Sequence, residues 1–285
     1  MRAADTQLGT GYRCRPTARA PTTFGMTPPH TGHAWRGALL LLTAGLAGIA
    51  TAAPAAAASP AGATTVSRSG SVLTVTGGAT ANVIEVGFRK GNGFLGTWLV
   101  TDSAAPLAAG PGCTAGGTQV SCPGDGLSDR VSIDAGDGDD RVTYTFGLPS
   151  TVVGGAGADT LSGGFGPDTM NGGVGADQIT GGAGNDTIRG SGENDTLDGG
   201  PGNDDITGEG LDDTITGGPG SDTLSGEKGN DNIRGGPGDD GMTGASGSDT
   251  LIGDDGSDSA DGGPISGTDG GVDTCDAETE IRCEQ

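Results

Sequence analysis

Residues 154–261 read GGAGADTLS GGFGPDTMN GGVGADQIT GGAGNDTIR GSGENDTLD GGPGNDDIT GEGLDDTIT GGPGSDTLS GEKGNDNIR GGPGDDGMT GASGSDTLI GDDGSDSAD. The run consists of twelve nonapeptides without an insertion. Position six is Asp in all twelve, and position eight is Leu, Ile or Met in eleven and Ala260 in the last. A constant period over this length predicts a repeat architecture in which each unit packs on its neighbours.

The residue types within the repeat predict a loop followed by a short strand. Glycine at positions one, two and four permits positive φ and a tight bend. Such a bend can direct backbone carbonyls inward beside the carboxylate of position six, and oxygen donors of this kind suit Ca²⁺. Positions seven to nine are predicted to form a strand whose aliphatic middle residue points inward and whose neighbours, often Thr, point outward.

The consensus resembles the G-G-x-G-x-D-x-U-x repeat of the repeats-in-toxin (RTX) family, the hemolysin-type calcium-binding repeat. The resemblance implies an all-β fold, a right-handed parallel β-roll in which one repeat is half a coil. It also implies two parallel sheets around a thin aliphatic core, and two rows of loops with Ca²⁺ between loops i and i+2. Twelve repeats would then make an array about 29 Å long.

The predicted metal ligands are the carboxylates of position six. These are Asp159, Asp168, Asp177, Asp186, Asp195, Asp204, Asp213, Asp222, Asp231, Asp240, Asp249 and Asp258. The alternative is that each Asp caps a turn by accepting hydrogen bonds from backbone amides. Carboxylates repeated about every 4.8 Å along one edge would repel one another unless a cation lay between them. The repetition therefore favours calcium.

The two rows of loops differ in sequence. We call the repeats that begin at residues 154, 172, 190, 208, 226 and 244 the odd row, and the other six the even row. Apart from the last repeat, every departure from GGxGxD lies in the odd row, where Glu193 and Leu211 replace the glycine of position four and should strain the loop. Proline stiffens three even loops, at Pro201, Pro219 and Pro237. We expect the even row to bind Ca²⁺ more tightly and to fill first; neutral drift is the alternative.

Upstream of the array, residues 135–143 read AGDGDDRVT and place Asp140 and Val142 at the two key positions. This segment is expected to extend the odd row and to offer a further, weaker calcium site at Asp140. Between it and the array, Thr151–Val153 is predicted to be a plain strand.

Residues 59–134 are predicted to form an N-terminal β segment with short strands at Val72–Thr76 and in NVIEV, TWLVTD and RVSID. The solenoid can start as early as Val72, in which case this segment is a cap that shields the first sheet edge. Phe94 and Trp98 are expected in its core rather than on a binding platform.

At the other end, the register breaks and TDGGVDTCD resumes after an insertion, with Cys275 at the inward position. Residues 262–285 are predicted to form a C-terminal cap. An even number of cysteines in an exported chain suggests disulfides, and the local spacing favours Cys113–Cys122 and Cys275–Cys283.

Residues 1–58 are predicted to be a signal peptide. Arg36 precedes an apolar stretch at 37–50, and small residues follow up to Ala58. Met26 is a plausible true start. The stretch is shorter than the roughly 20 residues of a membrane span; an N-terminal anchor is the alternative, and no other apolar run could cross a bilayer. Secretion to the extracellular space is therefore expected.

Charge and composition narrow the function. The chain has 37 acidic and 14 basic residues, a net charge of −23, which argues against a nucleic-acid partner because such a surface repels phosphate. Loss of residues 1–58 removes five Arg and one Asp, giving −27, and removes both histidines. No HExxH or Ser-His-Asp site could then form.

These features predict a secreted, non-catalytic calcium-binding protein that folds when Ca²⁺ neutralises its carboxylates. A structural, surface or adhesion role is expected, with a partner in the extracellular matrix or on a cell surface. The alternative is the calcium-binding module of a secreted hydrolase or of an RTX-type toxin or adhesin. The chain has no G-x-S-x-G motif for the former and no long apolar segment for a pore-forming toxin.

Overall fold

The computed structural model describes residues 62–91, 95–124, 127, 129–263, 274–277 and 279–281. The predicted signal peptide, Phe94 and Cys283 lie outside this part. The described residues form strands and turns only, so they contain no helix that could cross a membrane. The all-β prediction is confirmed.

Within the described residues, twenty-four strands follow one another. They are β1 (Thr64–Ser69), β2 (Val72–Thr76), β3 (Val83–Lys90), β4 (Gly96–Asp102), β5 (Leu107–Ala109), β6 (Thr114–Gly116), β7 (Gln119–Gly124), β8 (Arg130–Asp137), β9 (Arg141–Tyr144), β10 (Ser150–Ala156), β11 (Thr160–Gly164), β12 (Thr169–Val174), β13 (Gln178–Gly182), β14 (Thr187–Ser191), β15 (Thr196–Asp198), β16 (Asp205–Gly210), β17 (Thr214–Thr216), β18 (Thr223–Lys228), β19 (Asn232–Arg234), β20 (Gly241–Ser246), β21 (Thr250–Ile252), β22 (Ser259–Asp261), β23 (Thr274–Asp276) and β24 (Thr279–Ile281).

Alternate strands stack into two parallel sheets. One sheet holds the even-numbered strands from β8 to β24, and the other holds the odd-numbered strands from β9 to β23. Within the array each strand pairs with the strand two further along, so that Leu161 lies beside Ile179 and Ile188 beside Ile206. Successive coils are therefore offset by eighteen residues, as the resemblance to the RTX family implies, and the chain forms a parallel β-solenoid.

The core is one column of aliphatic side chains per sheet. Every position-eight residue from Leu161 to Ala260 is at most 2% exposed. Most residues of position seven point outward and are exposed. The aspartates of position six are also buried, between 1% and 3% exposed, so the inward face of each coil carries a carboxylate two residues before its aliphatic side chain.

Several strands are longer than the three residues expected, although β15, β17, β19, β21 and β22 have that length. β12, β16, β18 and β20 continue through positions one to three of the following odd-row repeat, where Gly155 pairs with Gly173 and Glu209 with Glu227. The loop of the odd row is therefore partly strand. The reason is that these backbone groups find parallel partners in the coils above and below.

The N-terminal segment continues the solenoid and then closes it. β2 pairs in parallel with β8, and β3 with β9. β1 and β4 then add antiparallel strands, followed by β7 and the three-residue strands β5 and β6 at the sheet edges. We call residues 62–124 the N-terminal cap. Short strands at a sheet edge leave little backbone for another chain to pair with.

Aromatic side chains fill this cap. Trp98 is fully buried, with its ring centroid 4.9 Å from that of Phe88, 5.5 Å from Phe146 and 6.3 Å from Tyr144. The expectation that Trp98 belongs to a local core is confirmed.

Disulfides hold both ends of the solenoid. The predicted Cys113–Cys122 bond is present in the N-terminal cap, with an S–S distance of 2.02 Å. Cys275 lies beside Leu251 in the register of β21 and β23, which confirms that the repeat resumes after an insertion. Cys275 is disulfide-bonded; its predicted partner, Cys283, lies outside the described residues.

The aliphatic column yields a stability prediction. Ile215→Ala should lower the free energy of unfolding by about 2–5 kcal/mol, because it opens a cavity in a core one residue wide. The neighbouring Thr214→Ala, on the exposed face, should change it by less than about 0.5 kcal/mol. Denaturant unfolding of both variants measures this difference, and equal losses would contradict the assignment of position eight to the core.

Candidate metal sites

The solenoid brings the position-six aspartates into two columns. In each column the Oδ1 atom of one aspartate accepts the backbone N–H of the aspartate one coil earlier. The N–H of Asp140 donates to Asp159 Oδ1 at 2.7 Å in the odd row, and the N–H of Asp186 donates to Asp204 Oδ1 at 2.8 Å in the even row. The same bond recurs between the remaining members at 2.7–2.9 Å. The predicted pairing of loop i with loop i+2 is therefore present, and Asp140 extends the odd row.

These bonds partly agree with the alternative that each Asp caps a turn, because one oxygen of each carboxylate does accept a backbone N–H. The second oxygen, Oδ2, behaves differently. It is buried without a hydrogen-bond partner in Asp140, Asp159, Asp168, Asp177, Asp186, Asp195, Asp204, Asp213, Asp222, Asp231 and Asp240. A buried, unpaired carboxylate oxygen is costly unless a proton or a cation satisfies it. Turn capping alone leaves this oxygen unexplained.

The glycine of position one shows where a cation would be held. A Cβ built on Gly181 would lie 2.4 Å from Asp186 Oδ2 and 2.8 Å from the carbonyl oxygen of Gly199, one coil later. The same pair of oxygens surrounds Gly154, Gly172, Gly199 and Gly217 in their own coils. Only glycine leaves room for this approach. Two oxygen acceptors thus converge: Gly199 O accepts the N–H of Gly182, whereas Asp186 Oδ2 has no donor, and a cation fits that arrangement.

The donor set consists of single carboxylates and backbone carbonyls. Among the residues that the structure describes, no group of three or more His, Cys, Asp or Glu side chains comes together. Oxygen-only ligation of this kind suits Ca²⁺ and disfavours zinc or copper, which prefer imidazole or thiolate. When bound, Ca²⁺ would supply the positive charge that the buried carboxylates lack.

A second ladder of side-chain to backbone hydrogen bonds runs beside that of position six. It was not predicted from the sequence. The position-five side chain of one coil accepts the backbone N–H of position five in the next, as from Asn203 to Asn185 and from Ser221 to Asn203, both at 3.0 Å. These bonds point in the opposite direction to those of position six. The signal was present, because position five is Asn, Asp or Ser in every repeat from the fourth onward.

The sequence analysis also missed a degenerate repeat in the N-terminal cap. Residues 77–85 read GGATANVIE, with Asn82 at position six and Ile84 at position eight. The backbone N–H of Asn82 donates to Asp140 Oδ1 at 2.5 Å, as a position-six residue should. Asn82 thus stands at the beginning of the odd row. Paired glycines, Asn and Ile at the right spacing could have revealed it.

Burial governs the acidity of these carboxyl groups. Loss of solvation raises the pKa above its ordinary value of 3.8, while the bond from the backbone amide lowers it in part. The pKa is raised to about 7 at Asp168, Asp204 and Asp213. It is raised to about 6 at Asp140, Asp159, Asp177, Asp195 and Asp240. Protons and cations would therefore compete for the columns near neutral pH.

The two rows differ in backbone strain. Position two of the odd row adopts positive φ without glycine at Ser191 (98°), Glu209 (83°), Glu227 (75°) and Ala245 (75°), whereas the even row does so only at Asp254 (71°). Such conformations disfavour residues with a β-carbon. The sequence predicts strain at position four instead, where Glu193 and Leu211 replace glycine.

That expectation is half correct. Leu211 has a φ of 66°, but Glu193 does not adopt positive φ. In the repeat that contains Glu193 the strained residue is Ser191, and the Glu193 carboxylate accepts the N–H of Gly175 at 3.0 Å.

The geometry defines the class: a parallel β-solenoid whose coils carry buried carboxylates arranged for cations. Residues 153–188, 180–215, 207–242 and 243–264 match the family model of the RTX calcium-binding nonapeptide repeat. The repeats of this chain are therefore RTX calcium-binding nonapeptide repeats, as their consensus predicted. Comparison with curated proteins gave no match.

The raised pKa values predict that the fold responds to pH strongly without calcium and weakly with it. In excess chelator, acidification from about pH 8 to pH 5 should increase the β signal in circular dichroism. A carboxyl group whose folded pKa of 6 to 7 exceeds 3.8 stabilises the fold below 3.8, and that stabilisation is lost as the pH rises through 6 to 7. In saturating calcium the same acidification should change the β signal little, because protons and Ca²⁺ compete for the same oxygens of the folded chain. An equal rise of the β signal in both buffers would contradict this.

The backbone strain in the odd row predicts that this row binds Ca²⁺ less tightly than the even row. Asp186→Ala in the even row should raise the calcium midpoint of folding more than Asp213→Ala in the odd row. A strained residue costs about 1–3 kcal/mol, which corresponds to a difference of about fivefold or more in affinity. Calcium titrations of the two variants, which remove the same carboxylate and the same amide bond, make the comparison. Equal losses would favour neutral drift.

Proposed function

We propose that the chain is a secreted calcium-binding β-roll protein without catalytic activity, with a structural, surface or adhesion role. The proposed calcium ligands are the position-six carboxylates together with backbone carbonyls of adjacent coils. They are Asp140, Asp159, Asp168, Asp177, Asp186, Asp195, Asp204, Asp213, Asp222, Asp231, Asp240, Asp249 and Asp258. The observation that carries this proposal is the set of buried Oδ2 atoms without a hydrogen-bond partner in the aspartates from Asp140 to Asp240.

Calcium would act as a folding ligand. The net charge of −23 opposes compaction, and each coil contributes one aliphatic side chain to the core of each sheet. Binding to a site that the unfolded chain lacks contributes its free energy to folding. Extracellular modules of this type respond at about 10⁻⁴–10⁻³ M calcium. The repeat array of such a chain would stay extended in a calcium-poor cytoplasm and fold outside.

The cysteines support an extracellular location. The Cys113–Cys122 bond and the bonded state of Cys275 fit an oxidising compartment, where disulfides persist. We propose that the predicted signal peptide directs the chain there. The partner would then belong to the extracellular matrix or to a cell surface.

The described residues also favour a non-catalytic role. They contain no histidine, and most of their buried carboxylates belong to the two columns. Buried carboxylates are the usual candidates for acid–base catalysis, but here most of them lie between stacked coils. The regular, elongated faces that remain are suited to contact with a partner rather than to enclosing a substrate.

Calcium titration of the purified secreted chain tests the proposal. Calcium should produce a cooperative rise in β signal and should lower the radius of gyration from about 50 Å toward about 20 Å. Mg²⁺ at the same concentration should fail, because it demands a smaller octahedral shell and dehydrates reluctantly. A chain that is equally compact and heat-resistant in excess chelator, with no bound metal, would refute the proposal.

A further inference from the structure

The first coil of the odd row carries an amide nitrogen where the later coils carry Oδ2 of an aspartate. Beside Gly154 and Gly172, Oδ2 of the position-six Asp and the position-one carbonyl oxygen of the next coil face each other, as Asp159 Oδ2 and Gly172 O do beside Gly154. In the coil of residues 77–85, the corresponding pair beside Gly77 is Asn82 Nδ2 and Ala135 O. A hydrogen-bond donor thus replaces an acceptor at the point where the oxygens converge.

Asn82 satisfies every acceptor around it. Its Nδ2 lies 3.0 Å from Ala135 O, 2.7 Å from Thr80 O and 3.0 Å from Asp140 Oδ1. The opposite side of the amide, Oδ1, lies 3.1 Å from the hydroxyl of Thr64. Asn82 is fully buried, and this pattern fixes the orientation of its amide, because a flipped side chain would direct its oxygen at three acceptors.

We propose that Asn82 is a built-in substitute for a calcium ion, so that the junction between the N-terminal cap and the first acidic coil forms without metal. The proposal rests on the proposed function, since it contrasts this junction with calcium-dependent ones. The amide supplies the positive ends of two N–H dipoles where the later gaps would need a cation. Neutral Asn also removes one charge from the end of the column.

The remaining contacts of the cap are equally independent of metal. Trp98 Nε1 donates to Asp129 Oδ2 at 2.8 Å, and Arg68 forms an ion pair with the other oxygen of the same carboxylate. The Cys113–Cys122 disulfide closes the edge. In calcium-poor solution the cap would therefore remain folded and present β8 and β9 as a template for the array.

The experiment uses the full chain with Trp35→Phe, so that Trp98 is the only tryptophan. Tryptophan emission reports on the cap, which pairs Phe88 with Trp98, and circular dichroism reports on the array. Calcium chloride and a chelator are the only additions. In the parent chain, chelator should abolish most of the β signal and leave the blue-shifted emission of Trp98 unchanged.

Asn82→Asp should make the cap calcium-dependent. It places Oδ2 against Ala135 O, so the emission should shift to the red in chelator and return to blue in calcium. The variant should also bind one more ion than the parent chain. Asp159→Asn is the matched control, because it makes the opposite exchange two coils later. It should bind fewer ions and keep the emission resistant to chelator.

Several results would overturn the proposal. One is a parent chain whose Trp98 emission and β signal are lost at the same calcium concentration. Another is an Asn82→Asp variant whose emission stays blue in chelator. If that variant is red-shifted even in saturating calcium, hydrogen exchange of the parent chain in chelator decides: protected amides at residues 82–86 support the proposal, and unprotected ones reject it. A β signal that ignores chelator in the parent chain would instead reject the calcium function itself.

Discussion

The structure depends on the burial of a carboxylate in each of the twelve nonapeptide repeats. The position-six aspartates lie two residues from the aliphatic column and are almost inaccessible to solvent. One oxygen is occupied by a backbone amide, and the other faces a carbonyl oxygen of the next coil. This arrangement is unfavourable for an anion by itself. The fold therefore requires that protons or Ca²⁺ neutralise the aspartate columns. This requirement links folding to the pH and the calcium concentration around the protein.

Glycine and backbone bonding make this burial possible. The position-one glycines allow the two oxygens to approach each other, and a methyl group in their place would overlap both. Two ladders of side-chain to backbone bonds, at positions five and six, run in opposite directions along each row. Every coil is therefore tied to both neighbours. Because the aliphatic core is one side chain deep in each sheet, these polar ladders carry much of the specificity of the stacking.

The period and the position-six carboxylates could be predicted from the twelve-fold repetition, because each copy reinforces the same assignment. The two sheets, the eighteen-residue offset and the pairing of loops i and i+2 were implied by the resemblance to the RTX family. The N-terminal coil could not be predicted, since GGATANVIE lacks the acidic residue at position six and the glycine at position four. Strain at position two escaped prediction because the conformation of Glu209 and Glu227 depends on pairing between coils rather than on local sequence. The inward direction of the aspartates follows from an alternation of inward and outward side chains that begins at position six, one residue before the predicted strand.

The alternation of repeats between the two sheets restricts how such a chain can change in length. Removal of one nonapeptide would move every downstream repeat to the opposite sheet and would place proline-stiffened loops directly against the strained ones. Removal of two preserves all partners. The irregular spacings lie at the ends: nineteen residues separate Asp140 from Asp159, and twenty-four separate Leu251 from Cys275. Duplication and loss during evolution, or shortening by design, should therefore proceed in pairs of repeats within the regular interior.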